Sequence, residues 1–315
     1  MNMGRAKIVV VGSLVFDLVA WAERRPQKGE SLLGTDFGMF PGGKGANQAV
    51  QAAKLGAEVF MCGRVGEDFF GESLIANLKK ERVDATFVIK DKETTTAVGC
   101  IVIDKEGDNS IVMVPQANMR CKTEDVDRVK KIIAQSDLLL LQLEIPLLVD
   151  IYAARIAKQE GVKVILNPAP ARDIPDELIS LSDIITPSEI ETQILTGVKA
   201  DNMDNIKKGA ISLIKRGAKV VIVTLGEKGA LMVTESKDLH FPAYKVSAVD
   251  TTGAGDAFNG ALSVAIAEGR ELEEAIKLAN AAGALSVTKR GAQPSLPQRE
   301  EVEELNRGQR PFLTE

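Results

Sequence analysis

Short β-branched runs alternating with longer segments of helical period predict an α/β protein: a three-layer fold on a largely parallel central sheet, carrying a small inserted β-sheet lid. Three observations carry this prediction. The first is the rhythm itself. Apolar runs at Lys7–Val11, Val59–Val65, Asp137–Leu143, Lys163–Leu166 and Val220–Thr224 are interleaved with helix-like Ala46–Leu55, Glu72–Lys80, Leu147–Gln159 and Asn205–Arg216, and that order makes βαβ units. The second is punctuation: Gly56, Gly161 and Gly217 each stand between a helical segment and the next strand, where a left-handed C-cap is wanted. The third is a break in the rhythm. Thr95–Ile103 and Ser110–Val114 flank the turn-rich Asp104-Lys105-Glu106-Gly107-Asp108, and Gly29–Phe40 is extended without helical period; both stretches read as antiparallel strands. The expected division is an α/β catalytic domain over 1–17, 42–93 and 117–315 with a β lid over 18–41 and 94–116. A lid above the carboxyl ends of parallel strands is where a ligand is expected.

Composition narrows the function. With 315 residues, 45% of them hydrophobic, the chain can bury a full core. The formal net charge of -5, with no long basic run, gives no electrostatic footprint for nucleic acid or a membrane surface, so small molecules are the expected partners. Cys62, Cys100 and Cys121 are odd in number and lack a CxxC spacing, which suggests neither a disulfide scaffold nor a zinc site. The first apolar run, Ile8–Val11, is too brief for a signal peptide or a membrane span, so a cytoplasmic location is expected. The single histidine, His240, lies in a polar stretch and reads as a surface residue, leaving no material for a histidine base or metal cluster.

Two glycine-rich segments carry the chemistry. Asp250-Thr251-Thr252-Gly253-Ala254-Gly255-Asp256 opens a helical stretch; glycines at a helix mouth let backbone N–H groups converge on an anion that the helix dipole also favours. Spacing alone leaves open a plainer reading in which Asp256 merely caps the helix. Pro41-Gly42-Gly43-Lys44-Gly45-Ala46-Asn47-Gln48 opens another helix. It lacks the spacing of a Walker A loop, but close backbone approach with the Asn47 amide and Lys44 ammonium suits a polyhydroxylated ligand.

The two motifs occur together and in this order, accompanied by Asn167-Pro168-Ala169-Pro170-Ala171 and Gly291-Ala292-Gln293-Pro294-Ser295. On these residues the chain resembles the ribokinase-like, phosphofructokinase-B type carbohydrate kinases over essentially its whole length. The resemblance implies that Asp17, the Gly43-Lys44-Gly45-Ala46-Asn47 segment and Glu144 hold sugar hydroxyls. It implies that Gly253, Ala254 and Gly255 form an anion hole and that Asp256 is the catalytic base. Asp17 is expected at the end of the first strand, and Glu144 after the Leu138–Leu143 run. On the nucleotide side it implies that Thr224-Leu225-Gly226-Glu227-Lys228-Gly229 is an ATP-binding turn, that Gly255 and Asn280 contact the nucleotide, and that Glu191 organises Mg²⁺. Ser188 stands where the family's Asn-x-x-Glu motif has Asn; its hydroxyl keeps a donor and acceptor but has less reach. Finally, the resemblance implies a K⁺ site from the side chains of Asp250 and Ser295 with the carbonyls of Thr252, Ser286, Lys289 and Gly291.

The implied reaction is phosphorylation of the 5-hydroxyl of D-ribose by Mg·ATP. Val15 departs from the ribokinase pattern, which carries Asn there to meet the sugar's 2-hydroxyl, so 2-deoxyribose is the alternative acceptor. Another sugar or nucleoside kinase specificity is opposed by Gly42-Gly43-Lys44-Gly45-Ala46-Asn47, and a non-catalytic sugar-binding regulator by the intact Asp256 and glycine loop. The open edges of the lid strands need covering, which predicts a homodimer through the lid.

Overall fold

A computed structural model describes residues 5–308. In chain order the strands are β1 (Lys7–Val11), β2 (Val15–Trp21), β3 (Asp36–Gly42), β4 (Glu58–Gly66), β5 (Val83–Asp91), β6 (Val98–Ile103), β7 (Asn109–Val114), β8 (Leu138–Leu141), β9 (Lys163–Leu166), β10 (Ile184–Ile185), β11 (Val220–Thr224), β12 (Ala230–Thr234) and β13 (Asp238–Phe241). The helices are α1 (Lys44–Lys54), α2 (Phe69–Lys80), α3 (Thr123–Ile133), α4 (Leu147–Gln159), α5 (Asp176–Leu181), α6 (Glu189–Thr196), α7 (Met203–Lys215), α8 (Ala254–Ala267), α9 (Leu272–Ser286) and α10 (Arg299–Asn306).

Nine strands form one sheet in the order β13-β12-β11-β10-β9-β8-β1-β4-β5, parallel from β11 to β5 and closed at the other edge by the antiparallel β12–β13 hairpin. Side chains alternate between its faces. Ile8, Val10, Leu138 and Leu140 pack with α1, α2, α8 and α9, while Val9, Val11, Leu139 and Leu141 pack with α3, α4 and α7. Both faces are therefore covered, which is why Leu138–Leu141 is an unbroken apolar run with every residue buried. Each such side chain contributes roughly 1.5–3 kcal/mol through burial. Gly56, Gly161 and Gly217 take the positive φ expected of them, at 92°, 73° and 111°. Among the described residues no helix is long and apolar enough to cross a membrane.

The second sheet has four strands in the order β3-β2-β6-β7. Three expectations change here. The lid strands are not all antiparallel: β2 and β6 pair parallel, because each follows a strand of the parallel sheet, β1 and β5, and leaves it from the same end. The extended stretch is shorter than expected, with only Asp36–Gly42 forming a strand. Asp17 does not end the first strand, which stops at Val11; it lies inside β2, paired with Phe40 and Gly99.

Candidate active site

The loop before α8 turns through Gly253, whose left-handed φ of 81° a side chain would strain. It delivers Asp256 to the first turn of α8, only 6% exposed. Both carboxylate oxygens are held from the α1 side: Asn47 Nδ2 donates to Oδ2 at 2.8 Å and Gln48 Nε2 to Oδ1 at 2.9 Å. Among the described residues the N–H groups of Gly255 and Asp256 have no backbone acceptor, so the helix mouth is set to receive an anion. Asp250 ties this loop to the segment after α9, accepting from Thr252 N at 2.9 Å and Gly291 N at 2.8 Å.

Opposite lies a cluster built on the start of α1. The backbone there runs so close to residues 12–15 that a Cβ on Gly43 would sit 2.7 Å from Val15 N and one on Gly45 2.6 Å from Ser13 N. Glu144 locks this approach, accepting from Lys44 N at 3.0 Å and from the Ser13 hydroxyl, which itself accepts from Gly45 N at 3.2 Å. Asp17 reaches in from β2 between two glycines: a Cβ on Gly42 would come 2.3 Å from its Oδ2 and one on Gly99 2.5 Å from its Oδ1. Burial, then the charges of Glu144 and Asp256, push the Asp17 carboxyl up to about 6. Burial works against the Lys44 ammonium, but Asp256, Glu144 and Glu191 outweigh it and hold Lys44 above the usual lysine value. The site thus concentrates carboxylates around one ammonium, able to accept hydrogen bonds from several hydroxyls at once. Ala46 is 1% exposed, packs in the core, and its N–H donates to Ser13 O, which helps hold the loop in this close approach.

On the other side of the α8 mouth is a cavity of about 930 Å³ lined by Thr224, Gly226–Gly229, Ala254, Gly255, Phe258 and Asn280, with Val246, Ala284 and Val287 as apolar wall. The turn after β11 needs its last glycine, since a Cβ on Gly229 would meet Phe241 O at 2.0 Å. Leu225 is 2% exposed and its side chain packs in the core. His240, exposed, also lines this cavity. Ser188 caps α6 in a reciprocal box: its N–H donates to Glu191 Oε2 at 2.7 Å and its hydroxyl accepts from Glu191 N at 3.2 Å. A bridge from Ser188 to Thr224 places this box beside the turn. Of the other residues expected on the metal side, the Ser295 hydroxyl donates to Ala292 O and that of Ser286 to Gly283 O, both at 2.8 Å, while the Lys289 side chain pairs with Glu301. Among the described residues no three His, Cys, Asp or Glu side chains form a metal cluster.

This geometry, an anion-receiving helix mouth between a hydroxyl-binding cluster and a large cavity, coincides with a family match: residues 5–299 fit the model of the pfkB family carbohydrate kinases. The chain belongs to that family. It is 42% identical to a ribokinase of Haemophilus influenzae over 96% of this chain and 98% of the relative, and 40% identical to a deoxyribokinase of Salmonella typhi over 94% and 97%. In three dimensions it is similar to the ribokinase of Arabidopsis thaliana complexed with ribose and ATP, with a TM-score of 0.91 and 35% identity over 96% of this chain and 99% of that one. As a carbohydrate kinase the protein is an enzyme, and its two-sided cleft matches a phosphoryl donor facing a sugar.

Some residues that hold the site lie outside the two glycine-rich motifs. Gln142, Asn167, Thr186, Asn259 and Gln293 all hydrogen-bond within the polar layer beneath Asp256. Asn167 and Gln293 fall within the two short segments that accompany the glycine motifs, while Gln142 and Thr186 are signalled only by position, directly after strands β8 and β10.

Proposed function

We propose that the protein is an ATP-dependent kinase that phosphorylates the 5-hydroxyl of ribose. The observation that carries this reading is Asp256, held by two amides at the point where the hydroxyl-binding cluster, the α8 mouth and the nucleotide-sized cavity meet. ATP lies in the cavity against the Thr224–Gly229 turn and Asn280, and the sugar lies against Asp17, Lys44, Asn47 and Glu144. Asp256 accepts the proton of the attacking hydroxyl as the new O–P bond forms and the bond from the γ-phosphorus to the β,γ-bridging oxygen breaks, leaving ADP. The free amides at the helix mouth stabilise charge on the transferring group. Lys44, buried among carboxylates, stays charged and keeps their summed charge from repelling the phosphates.

Two ions belong to the proposal. Glu191 fits a Mg²⁺ that keeps most of its ligands from water and phosphate, since its Oε2 is occupied by the Ser188 amide while Oε1 stays available; the ion would neutralise phosphate charge. Asp250 fits K⁺, because its carboxylate already gathers the Thr252 and Gly291 segments whose carbonyls would complete the shell. An enzyme that consumes ATP is placed in the cytoplasm. A lid-to-lid homodimer is supported by β7 at the open edge of the small sheet, where Ile111, Val112 and Met113 are 52%, 65% and 45% exposed. A second acceptor, 2-deoxyribose, is favoured by the buried apolar Val15 beside Gly42 and Gly43.

Asp256→Asn tests the central claim. Turnover should fall by the 10²–10⁴-fold of a lost general base, with sugar binding by calorimetry nearly unchanged. Near-normal turnover would remove Asp256 from the mechanism.

A further inference from the structure

We infer that Gln48 is a positioning residue for Asp256, the terminal member of an amide ladder along the carboxyl ends of β8, β9 and β10 that orients the base; the inference rests on the reading of Asp256 above. The ladder's polarity can be followed atom by atom. Thr186, after β10, offers a backbone carbonyl, which can only accept. Asn167, after β9, donates its Nδ2 to that carbonyl at 3.0 Å, so its Oδ1 must face the other way. That Oδ1 accepts from Gln48 Nε2 at 3.0 Å, and the second hydrogen on the same nitrogen goes to Asp256 Oδ1 at 2.9 Å. Gln142, after β8, closes the arrangement by donating its Nε2 to Gln48 Oε1 at 2.7 Å.

Gln48 and Gln142 are fully buried, and Asn167 is 6% exposed. No water competes for these bonds, so each amide's orientation is imposed by the next. The consequence falls on Gln48. Rotated by 180° about its amide, it would present an oxygen to the Asp256 carboxylate and another to Asn167 Oδ1, two repulsions in place of two bonds. The backbone carbonyl of Thr186 therefore determines, through two side chains, that Asp256 Oδ1 receives a donor. With Asn47 Nδ2 on Oδ2, and with Asn47 Oδ1 itself accepting from Gln293 Nε2 at 3.0 Å, each carboxylate oxygen is held by one fixed donor. The remaining lone pairs are left for the substrate hydroxyl. Asn259 extends the same layer to the anion hole, accepting from Thr186 Oγ1 at 2.6 Å and donating to Gly255 O at 2.8 Å.

Gln48→Met, close in volume and without hydrogen-bonding groups, tests this. The expected result is a kcat lower by about 10–100-fold, the range of one hydrogen bond to a charged group, with KM for ribose and for ATP within about twofold of wild type. In an Asp256→Asn background the same change should cost less than about threefold, because Gln48 acts through the carboxylate. A merely structural role would cost the same in both backgrounds, and that result, or an unchanged kcat in Gln48→Met, overturns the proposal. Should Gln48→Met not fold, Gln142→Met takes its place: it leaves the Asp256 bond but frees the orientation of Gln48, and kcat should drop about 3–10-fold with the same split. No drop there overturns the ladder. Asp256→Asn alone separates the two ideas: if it retains turnover the base reading fails and the ladder with it, whereas collapse of Asp256→Asn with full activity in Gln48→Met refutes the ladder only.

Discussion

Asp17 should make the ligand-free protein less stable as pH rises, and Asp17→Asn should recover that loss. The carboxyl is enclosed by Gly42 and Gly99, with Glu144 and Asp256 nearby, and is pushed up to about 6 from an ordinary aspartate value of 3.8. The sign follows from comparing the two states. Below about pH 3 the group is largely protonated whether the chain is folded or not, and little is lost. As pH rises through 6 the folded protein is left holding a buried charge that the unfolded chain carries in water, and the full cost appears. A rise from 3.8 to about 6 corresponds to about 3 kcal/mol at pH 8 and about half of that at pH 5. Asparagine keeps the volume and removes the charge, so urea unfolding without ligand should show Asp17→Asn more stable than wild type by up to about 3 kcal/mol at pH 8 and about 1.5 kcal/mol at pH 5. Comparing one substitution at two pH values cancels the titration of groups distant from Asp17, while Glu144 and Asp256, which act on it directly, contribute to the difference. The same variant should lose sugar affinity, because the carboxylate that costs stability is the one proposed to accept hydrogen bonds from the sugar hydroxyls. A stability gain at pH 8 no larger than at pH 5 would refute the claim that burial of this charge is what the fold opposes.

Two further outcomes are expected. Activity of enzyme prepared in a buffer of bulky organic cations should rise on adding K⁺, and Asp250→Ala, which removes the acceptor of the Thr252 and Gly291 amides, should abolish the rise; equal wild-type rates with and without K⁺ would exclude a functional cation site. 2-Deoxyribose should be a substrate with a kcat/KM within roughly 10²-fold of ribose, since an apolar wall at Val15 neither rewards nor strongly rejects the 2-hydroxyl; Val15→Asn should shift the ratio toward ribose by about fivefold, the effect of one net hydrogen bond of about 1 kcal/mol. Strong rejection of 2-deoxyribose by the wild type would mean that another residue reads that hydroxyl.

What could be read in the sequence, and what could not, divides along a physical line. A strand buried on both faces must be apolar at every position, so Leu138–Leu141 and Val220–Thr224 announce themselves. β5 does not: it is the edge of the large sheet, its burial is patchy, and Asp84 and Lys90 interrupt its pattern. The β12–β13 hairpin is hidden because Gly226 and Gly229, which lead into it, resemble a ligand-binding turn, whereas Gly229 also permits the close passage of Phe241. The sequence does not separate β1 from β2, and so puts Asp17 at the end of the first strand, because Gly12-Ser13-Leu14, the link between them, is as buried as the strands it joins.

The site follows the same division with a sharper edge. Backbone-dominated parts, the glycines at the starts of α1 and α8, leave a local signature because a close approach forbids a Cβ at that one position. Side-chain hydrogen bonds leave no local sign of their partner, because satisfying a buried amide is a pairwise demand and that partner is supplied by another segment. Gln48 and Asn167 lie in motif segments and Gln142 and Thr186 in none, and no one of these four stretches shows which of the others its side chain meets. They meet because β8, β9 and β10 are consecutive in the sheet and parallel, so the residues just beyond their carboxyl ends form a row under α1 and α8. The apolar rhythm that reveals the fold therefore also dictates where that row lies, while the choice of glutamine or asparagine at each point answers to a neighbour across the sheet. Reading the base from a motif and its orientation from the strand order are two steps, and only the first is local.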